Sequence, residues 1–165
     1  MKLLVLISMF ALASFNFDEP QAEELRILFY KSADDKNAAE KFSRVLKNID
    51  VSSSPLLVCH KGVAEMMQAK HTFNPFNKLA RFYKGRSLIE QSIKLYPVNL
   101  EQRFLRFSIQ SNLPGFLGYN NEIETDKMIL LNGLDDLKDQ KLKERIVTYM
   151  IGSAKLTTTE LKKLR

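Results

Sequence analysis

An all-α fold is predicted by three observations. Apolar residues recur at helical spacing along nearly the whole chain, and no convincing alternating strand interrupts them. Only six glycines and five prolines occur in 165 residues, few for a turn-rich β protein. Ser, Asp and Asn residues stand directly before the periodic stretches, two of them followed by proline, which is how helices begin. Short connections between about seven to nine such helices argue for stacked antiparallel helical hairpins.

The first stretch is different in kind. Met1-Lys2 is followed by Leu3–Ala13, almost wholly apolar with Ser8 its only polar residue. That length and those flanks fit a signal-peptide core, and the run is too short to span a bilayer. Ala11-Leu12-Ala13 offers an A-x-A-like cleavage site, and Phe15 and Phe17 extend the apolar stretch toward a later cut near Ala22. Residues 1–22 are therefore expected to be a signal peptide, cleaved between about 13 and 22. The chain is then exported to the periplasm or beyond as a single all-α domain, 23–165. The alternative is a buried first helix over 3–13, which would need protein on every side.

Past the leader, Leu25, Leu28 and Phe29 share one face of a helix near 23–33. Asp34 or Asp35 caps the next, in which Ala38, Ala39, Phe42, Val45, Leu46 and Ile49 follow the helical period. Val51–Ser54 is a loop, and Ser54-Pro55 opens a third helix with Leu56, Cys59, Val63, Met66 and Met67 on one stripe. Asn74-Pro75 repeats that start signal before the stripe Phe76, Leu79, Ala80 and Tyr83. Gly85 is expected to end or interrupt this helix. Leu88, Ile89, Ile93 and Tyr96 continue an apolar face, and Pro97 forces a stop. Asn99 with Gln102 is a capping-box variant opening a helix to about Ser111. The turn Leu113–Tyr119 is rich in apolar residues and is expected to pack inward. Further helices are predicted over 121–131, ending at Gly133, and 139–151. Thr157 with Glu160 resembles a capping box for a short last helix.

Apolar content of 45% excludes general disorder. Cys59 is the only cysteine, so no disulfide can form within the chain and packing must hold the fold. A single cysteine reads as a small buried hydrophobe. The formal charge is +6, and removing 1–22 takes away Lys2, Asp18 and Glu19 to leave +7. Residues 138–165 hold eight Lys/Arg against three Asp/Glu. This basic end is either a solvated face or a contact for anionic lipid or polysaccharide.

The string Tyr96-Pro-x-Asn-x-Glu-x-Arg-Phe-Leu-Arg106, with Gln110 and Leu113-Pro-Gly-Phe-Leu-Gly-Tyr119, resembles small exported proteins of flavobacterium-type bacteria. His60-Lys-Gly-x-Ala-x-x-Met67 and Ala69-Lys70 fit the same pattern. The resemblance covers roughly 25–150 and implies an exported helical protein, with no activity attached. Leu88–Gln110, in which a helix closes on proline before Asn opens another, is also similar to the end of a tetratricopeptide repeat, with Ser92 at the usual small-residue position five before the proline. No second copy recurs at that period.

No phosphate-cradling glycine loop, G-x-S-x-G or H-E-x-x-H occurs. Cys59 and His60 are adjacent and point about 100° apart on a helix, which makes a poor nucleophile–base pair. His60 and His71 on one helix would sit about 16 Å apart, too far to share a metal ion. No metal site, cofactor or nucleic-acid contact is expected. The most informative constellation is Arg103, Arg106 and Gln110, one polar stripe on a helix apolar on both flanks. Partly desolvated arginines need anionic partners. They form either a small pocket for an anionic group or peptide carboxylate, completed by Tyr119, or an internal ion-pair network with Glu65, Glu90 or Asp126.

Together these features point to a non-enzymatic interaction or scaffold protein of the cell envelope, with an envelope protein or peptide as partner. An enzyme using Arg103, Arg106 and a carboxylate is a competing reading, and a surface binder using the basic C-terminal helices is a third. A deep polar cleft would favour the enzyme and a concave apolar groove the binding protein. A basic face beside exposed aromatics would favour the surface binder.

Overall fold

A computed structural model of the chain describes residues 21–153 and 155–164. The expected leader and most of its cleavage window lie outside the described residues. Among those described, eight α-helices and one short 3₁₀ turn account for all regular structure, and no strand occurs. The helices are α1 (Ala22–Ser32), α2 (Lys36–Val45), α3 (Pro55–Lys70), α4 (Pro75–Leu95), α5 (Leu100–Asn112), α6 (Ile123–Gly133), α7 (Gln140–Gly152) and α8 (Thr158–Lys163). The chain is all-α, as the period predicts. No helix among the described residues is long and apolar enough to cross a membrane.

The starts follow local chemistry. Asp35, Ser54, Asn74, Asn99, Asp139 and Thr157 each accept a backbone N–H of the first turn through the side chain. Each satisfies a donor that the helix itself leaves free. Thr157 and Glu160 close a full capping box. At Asn99 only half of the expected box forms, because the Gln102 side chain turns into the core and neither of its amide atoms finds a partner.

Helix α3 is the centre of the fold. Buried residues run around most of its circumference, from Leu57 to Ala69, and α1, α2, α4 and α5 all pack on it. The most extensive packing is between α3 and α4. The two run antiparallel, since Gly62 lies against Ile89 and Met66 against Gly85. Helices α5 and α6 form a second such pair. There Gly133 near the end of α6 meets Leu100 at the start of α5.

Two sequence expectations fail in α4. Gly85 neither ends nor interrupts the helix, which runs unbroken for 21 residues. Its role is contact: a Cβ there would lie 2.6 Å from the Gly62 carbonyl oxygen, and one on Gly62 would lie 2.7 Å from the Gly85 carbonyl oxygen. The absent side chains let the two backbones touch. The expected stripe Phe76, Leu79, Ala80 and Tyr83 also faces solvent, while Phe82, Gly85, Ile89, Ser92 and Ile93 are buried. Apolar residues occupy both faces of this half-helix, and the close crossing selects the face that carries glycine. Tyr96, expected on the apolar face, is likewise exposed.

Gly85→Ala should therefore destabilise the fold by about 2 kcal/mol or more, since overpacking against backbone cannot be relieved by a rotamer change. Urea unfolding monitored by circular dichroism checks this. Gly115→Ala, with nothing within 4 Å of its Cβ position, should change stability far less.

Candidate functional site

The predicted stripe on α5 lies in a buried ionic network. Asp126 of α6 is wholly inaccessible. It accepts from Arg106 Nε–H (2.7 Å) and Nη2–H (2.8 Å), a two-pronged pair, and from Arg103 Nη1–H (3.0 Å). Arg106 Nη1–H donates to Glu90 Oε2 at 2.7 Å, and the Tyr119 hydroxyl donates to Glu90 Oε1 at 2.6 Å. Arg103 Nε–H donates to the Pro97 carbonyl at 2.8 Å, and the Arg86 guanidinium stacks 4.9 Å over the Tyr119 ring. Gln110 is also buried, its Oε1 accepting the Glu122 backbone N–H at 3.2 Å. Of the carboxylates expected to answer the arginines, Glu90 and Asp126 do so. Glu65 instead accepts from Arg81 and Lys84 of α4. Burial pushes the Tyr119 phenol well above its ordinary range, reinforced by the bond to Glu90.

A second network has no counterpart in the sequence reading. Arg26 of α1 donates from Nε and Nη2 to the two oxygens of Glu101 (2.8 and 2.6 Å), and from Nη1 to Asp139 at 2.9 Å. His60 Nε2 lies 3.2 Å from the same Glu101 carboxylate. Burial alone would raise the Glu101 carboxyl, but the hydrogen bonds from Arg26 and His60 outweigh it and hold it down at about 2. The other histidine, His71, faces the Ser32 carbonyl oxygen at 2.8 Å. Among the described residues no group of three His, Cys, Asp or Glu could hold a metal ion.

A concavity lies elsewhere. A cavity of about 840 Å³ opens between the C-terminal ends of α1, α3 and α5, the start of α4 and the 113–117 loop. Its floor is the core itself: Phe29, Met66, Met67, Phe82 and Ile109, each less than a tenth exposed. Most polar atoms in the wall are already engaged. Asn112 Nδ2–H donates to the Tyr149 hydroxyl (2.6 Å) and to the Ser108 carbonyl (2.8 Å), and Ser108 Oγ–H donates to the Leu105 carbonyl at 2.9 Å. The Tyr30 hydroxyl has no partner, and burial pushes it up to about 12. Three charged residues line the cavity: Asp34, Lys70 and Lys78. Lys70 donates to the Ala33 carbonyl and lies 3.4 Å from Asp34, whereas Lys78 has no carboxylate partner among the described residues.

The loop over this cavity is expected to pack inward and does so only in part. Leu113 and Leu117 pack on the core and Tyr119 is buried, but Phe116 is 87% exposed at the rim. Phe73, two residues before α4, is 97% exposed, and Phe76 (82%) and Tyr83 (56%) are exposed on the first half of α4. The sequence places these aromatics at helical spacing but cannot tell an outward stripe from a core stripe. In the basic C-terminal region several charges are paired: Arg145 with Glu23 and, more loosely, Lys143 with Asp135.

Comparison with known proteins gives no relative: no family model, no curated protein and no solved structure matches the chain.

Both networks predict measurable energetics. Asp126→Asn should destabilise the protein by about 3 kcal/mol, because Arg106 and Arg103 lose the buried carboxylate between them and Arg106 keeps only the half-exposed Glu90 and Glu122. The double variant Arg106→Met with Asp126→Leu should recover most of that loss in urea unfolding. Glu101 titrates below its unfolded range, so its contribution is complete above about pH 5 and is lost as pH falls toward about 2. Glu101→Gln should flatten the pH dependence of the melting temperature in that window.

Proposed function

We propose that this chain is a non-enzymatic binding domain of the cell envelope, and that its apolar groove holds the hydrocarbon chain of a single-chain anionic amphiphile, such as a long-chain carboxylate. The observation that carries this reading is the groove, apolar to its floor and of about 840 Å³. That volume falls in the range of small-molecule sites, about 300–1,000 Å³. The wall polar groups are mostly bonded to one another, so an extended peptide would leave its own N–H and C=O groups unanswered there. A hydrocarbon chain makes no such demand. Lys70 is matched by Asp34, and Lys78, without a carboxylate partner among the described residues, is the cation that favours a negative head group.

Arg103 and Arg106, on which an enzymatic reading would draw, direct their N–H groups to Asp126, Glu90 and a backbone carbonyl. Placement in the envelope rests on the leader Met1–Ala13 and its signal-peptide pattern.

Binding of a fluorescent long-chain fatty acid tests the proposal. Ala33 ends α1 at the groove wall, only partly buried, so Ala33→Trp should fill the space without disturbing the core. The expected result is affinity at least about tenfold weaker, with an unchanged melting temperature. Lys78→Glu should weaken binding of the acid but not of the corresponding long-chain alcohol. Binding indifferent to Ala33→Trp, or displacement by an amphipathic peptide but by no fatty acid, would sink the proposal.

A further inference from the structure

We infer that the outer face of α4 is a docking surface for an anionic phospholipid bilayer, applied to the membrane beside the mouth of the groove. The inference stands on the surface of α4 and the rim. Only its consequence, transfer of an amphiphile between bilayer and groove, rests on the function proposed above.

The first observation is the disposition of large apolar side chains. Phe76, Leu79 and Tyr83 recur at i, i+3 and i+7 on α4, all exposed, with Phe73 just before the helix and Phe116 on the neighbouring rim. Helical spacing puts Phe76, Leu79 and Tyr83 on one face, and large apolar side chains gathered on an exposed face mark an interaction surface. Because the Gly62–Gly85 contact fixes which face of α4 points inward, Phe76, Leu79 and Tyr83 cannot turn into the core without breaking that crossing.

The second observation is charge. From Met66 to Ile89 the chain carries five cations, Lys70, Lys78, Arg81, Lys84 and Arg86, and no carboxylate. Glu65, at the edge of this stretch, holds Arg81 and Lys84 in place and neutralises one charge, and Asp34 at the end of α1 answers Lys70, which leaves an excess of three cations. Lys78 has no carboxylate partner among the described residues. Exposed aromatics among an excess of cations suit an interface where rings enter the boundary of head groups and acyl chains while ammonium and guanidinium groups meet lipid phosphates. A basic partner surface would be repelled. A second copy would bring the same cations face to face across a two-fold axis.

The test is vesicle co-sedimentation. The protein is purified in the form that its host accumulates, with its N-terminus read by sequencing. It is mixed with vesicles of phosphatidylcholine alone or with phosphatidylglycerol added. Expected is binding to the mixed vesicles only, weakened severalfold by raised salt. The exposed-site double variant Phe73→Ser with Phe76→Ser should reduce it at least about tenfold while keeping the wild-type melting temperature. Ala33→Trp should retain vesicle binding even where it abolishes fatty-acid binding, so failure of the groove reading and failure of this one are told apart. The inference is overturned by equal binding to neutral vesicles, or by full binding of the double variant. It is also overturned if Lys162→Glu with Lys163→Glu removes binding while the α4 variant does not, which would assign the contact to the basic C-terminal end. Conversion of a dimer to a monomer by Phe76→Ser, with no vesicle binding at any composition, would likewise replace the bilayer with a second copy.

Discussion

Helices α3 and α4 meet backbone to backbone at Gly62 and Gly85, and much of the molecule follows from that contact. A side chain at either position would hold the helices apart and loosen the most extensive packing in the fold. With both absent, the rotation of α4 about its own axis is fixed. Phe82, Ile89 and Ile93 join the core, and Phe76 and Tyr83 are left outside. The same rotation sets Leu79 and Lys78 along one wall of the groove. The cavity and the aromatic face beside it are therefore two results of one steric constraint.

The ionic networks do different work. Asp126 ties α6 to α5, and Glu90 extends the tie to α4 and, through Tyr119, to the loop that leaves α5. Glu101 ties α5 to α1 and α3, with Asp139 adding the start of α7. Buried ion pairs add little net stability over an apolar substitute, but a wrong packing arrangement leaves their charges stranded. In a chain without disulfides they restrict which helix packs on which. No hydrogen-bonding member of these clamps lines the cavity, whose floor residues are held by apolar contact.

How much of this was legible in the sequence depends on whether the cause was local. Ser54-Pro55, Asn74-Pro75 and Thr157 with Glu160 announce helix starts within four residues, and the structure begins helices at each. The α5 stripe was legible as polar residues on an apolar helix, because spacing alone places Arg103, Arg106 and Gln110 together. Its partner Asp126 was one among several scattered carboxylates. Arg26 and Glu101 are 75 positions apart and give no local sign of each other. The face of α4 is hidden from the sequence for a physical reason: two apolar faces compete along its first half, and a glycine decides between them through a contact with another helix. The alignment of Phe82, Gly85, Ile89 and Ile93, which share one face, was the available signal. The groove has no sequence signature, since its floor residues are the same Met and Phe that fill any helical core.

Cys59 gives the buried core a chemical consequence. It is fully inaccessible within α3, and burial pushes its thiol up to about 12, so in the native state it is neither exposed nor ionised. Any reagent or oxidant that reaches it must wait for α3 to come away from its neighbours. The lone sulfur is thus a clock for opening of the central helix. In an oxidising compartment that clock also acts as a latch, because two opened chains can join through it and not refold apart.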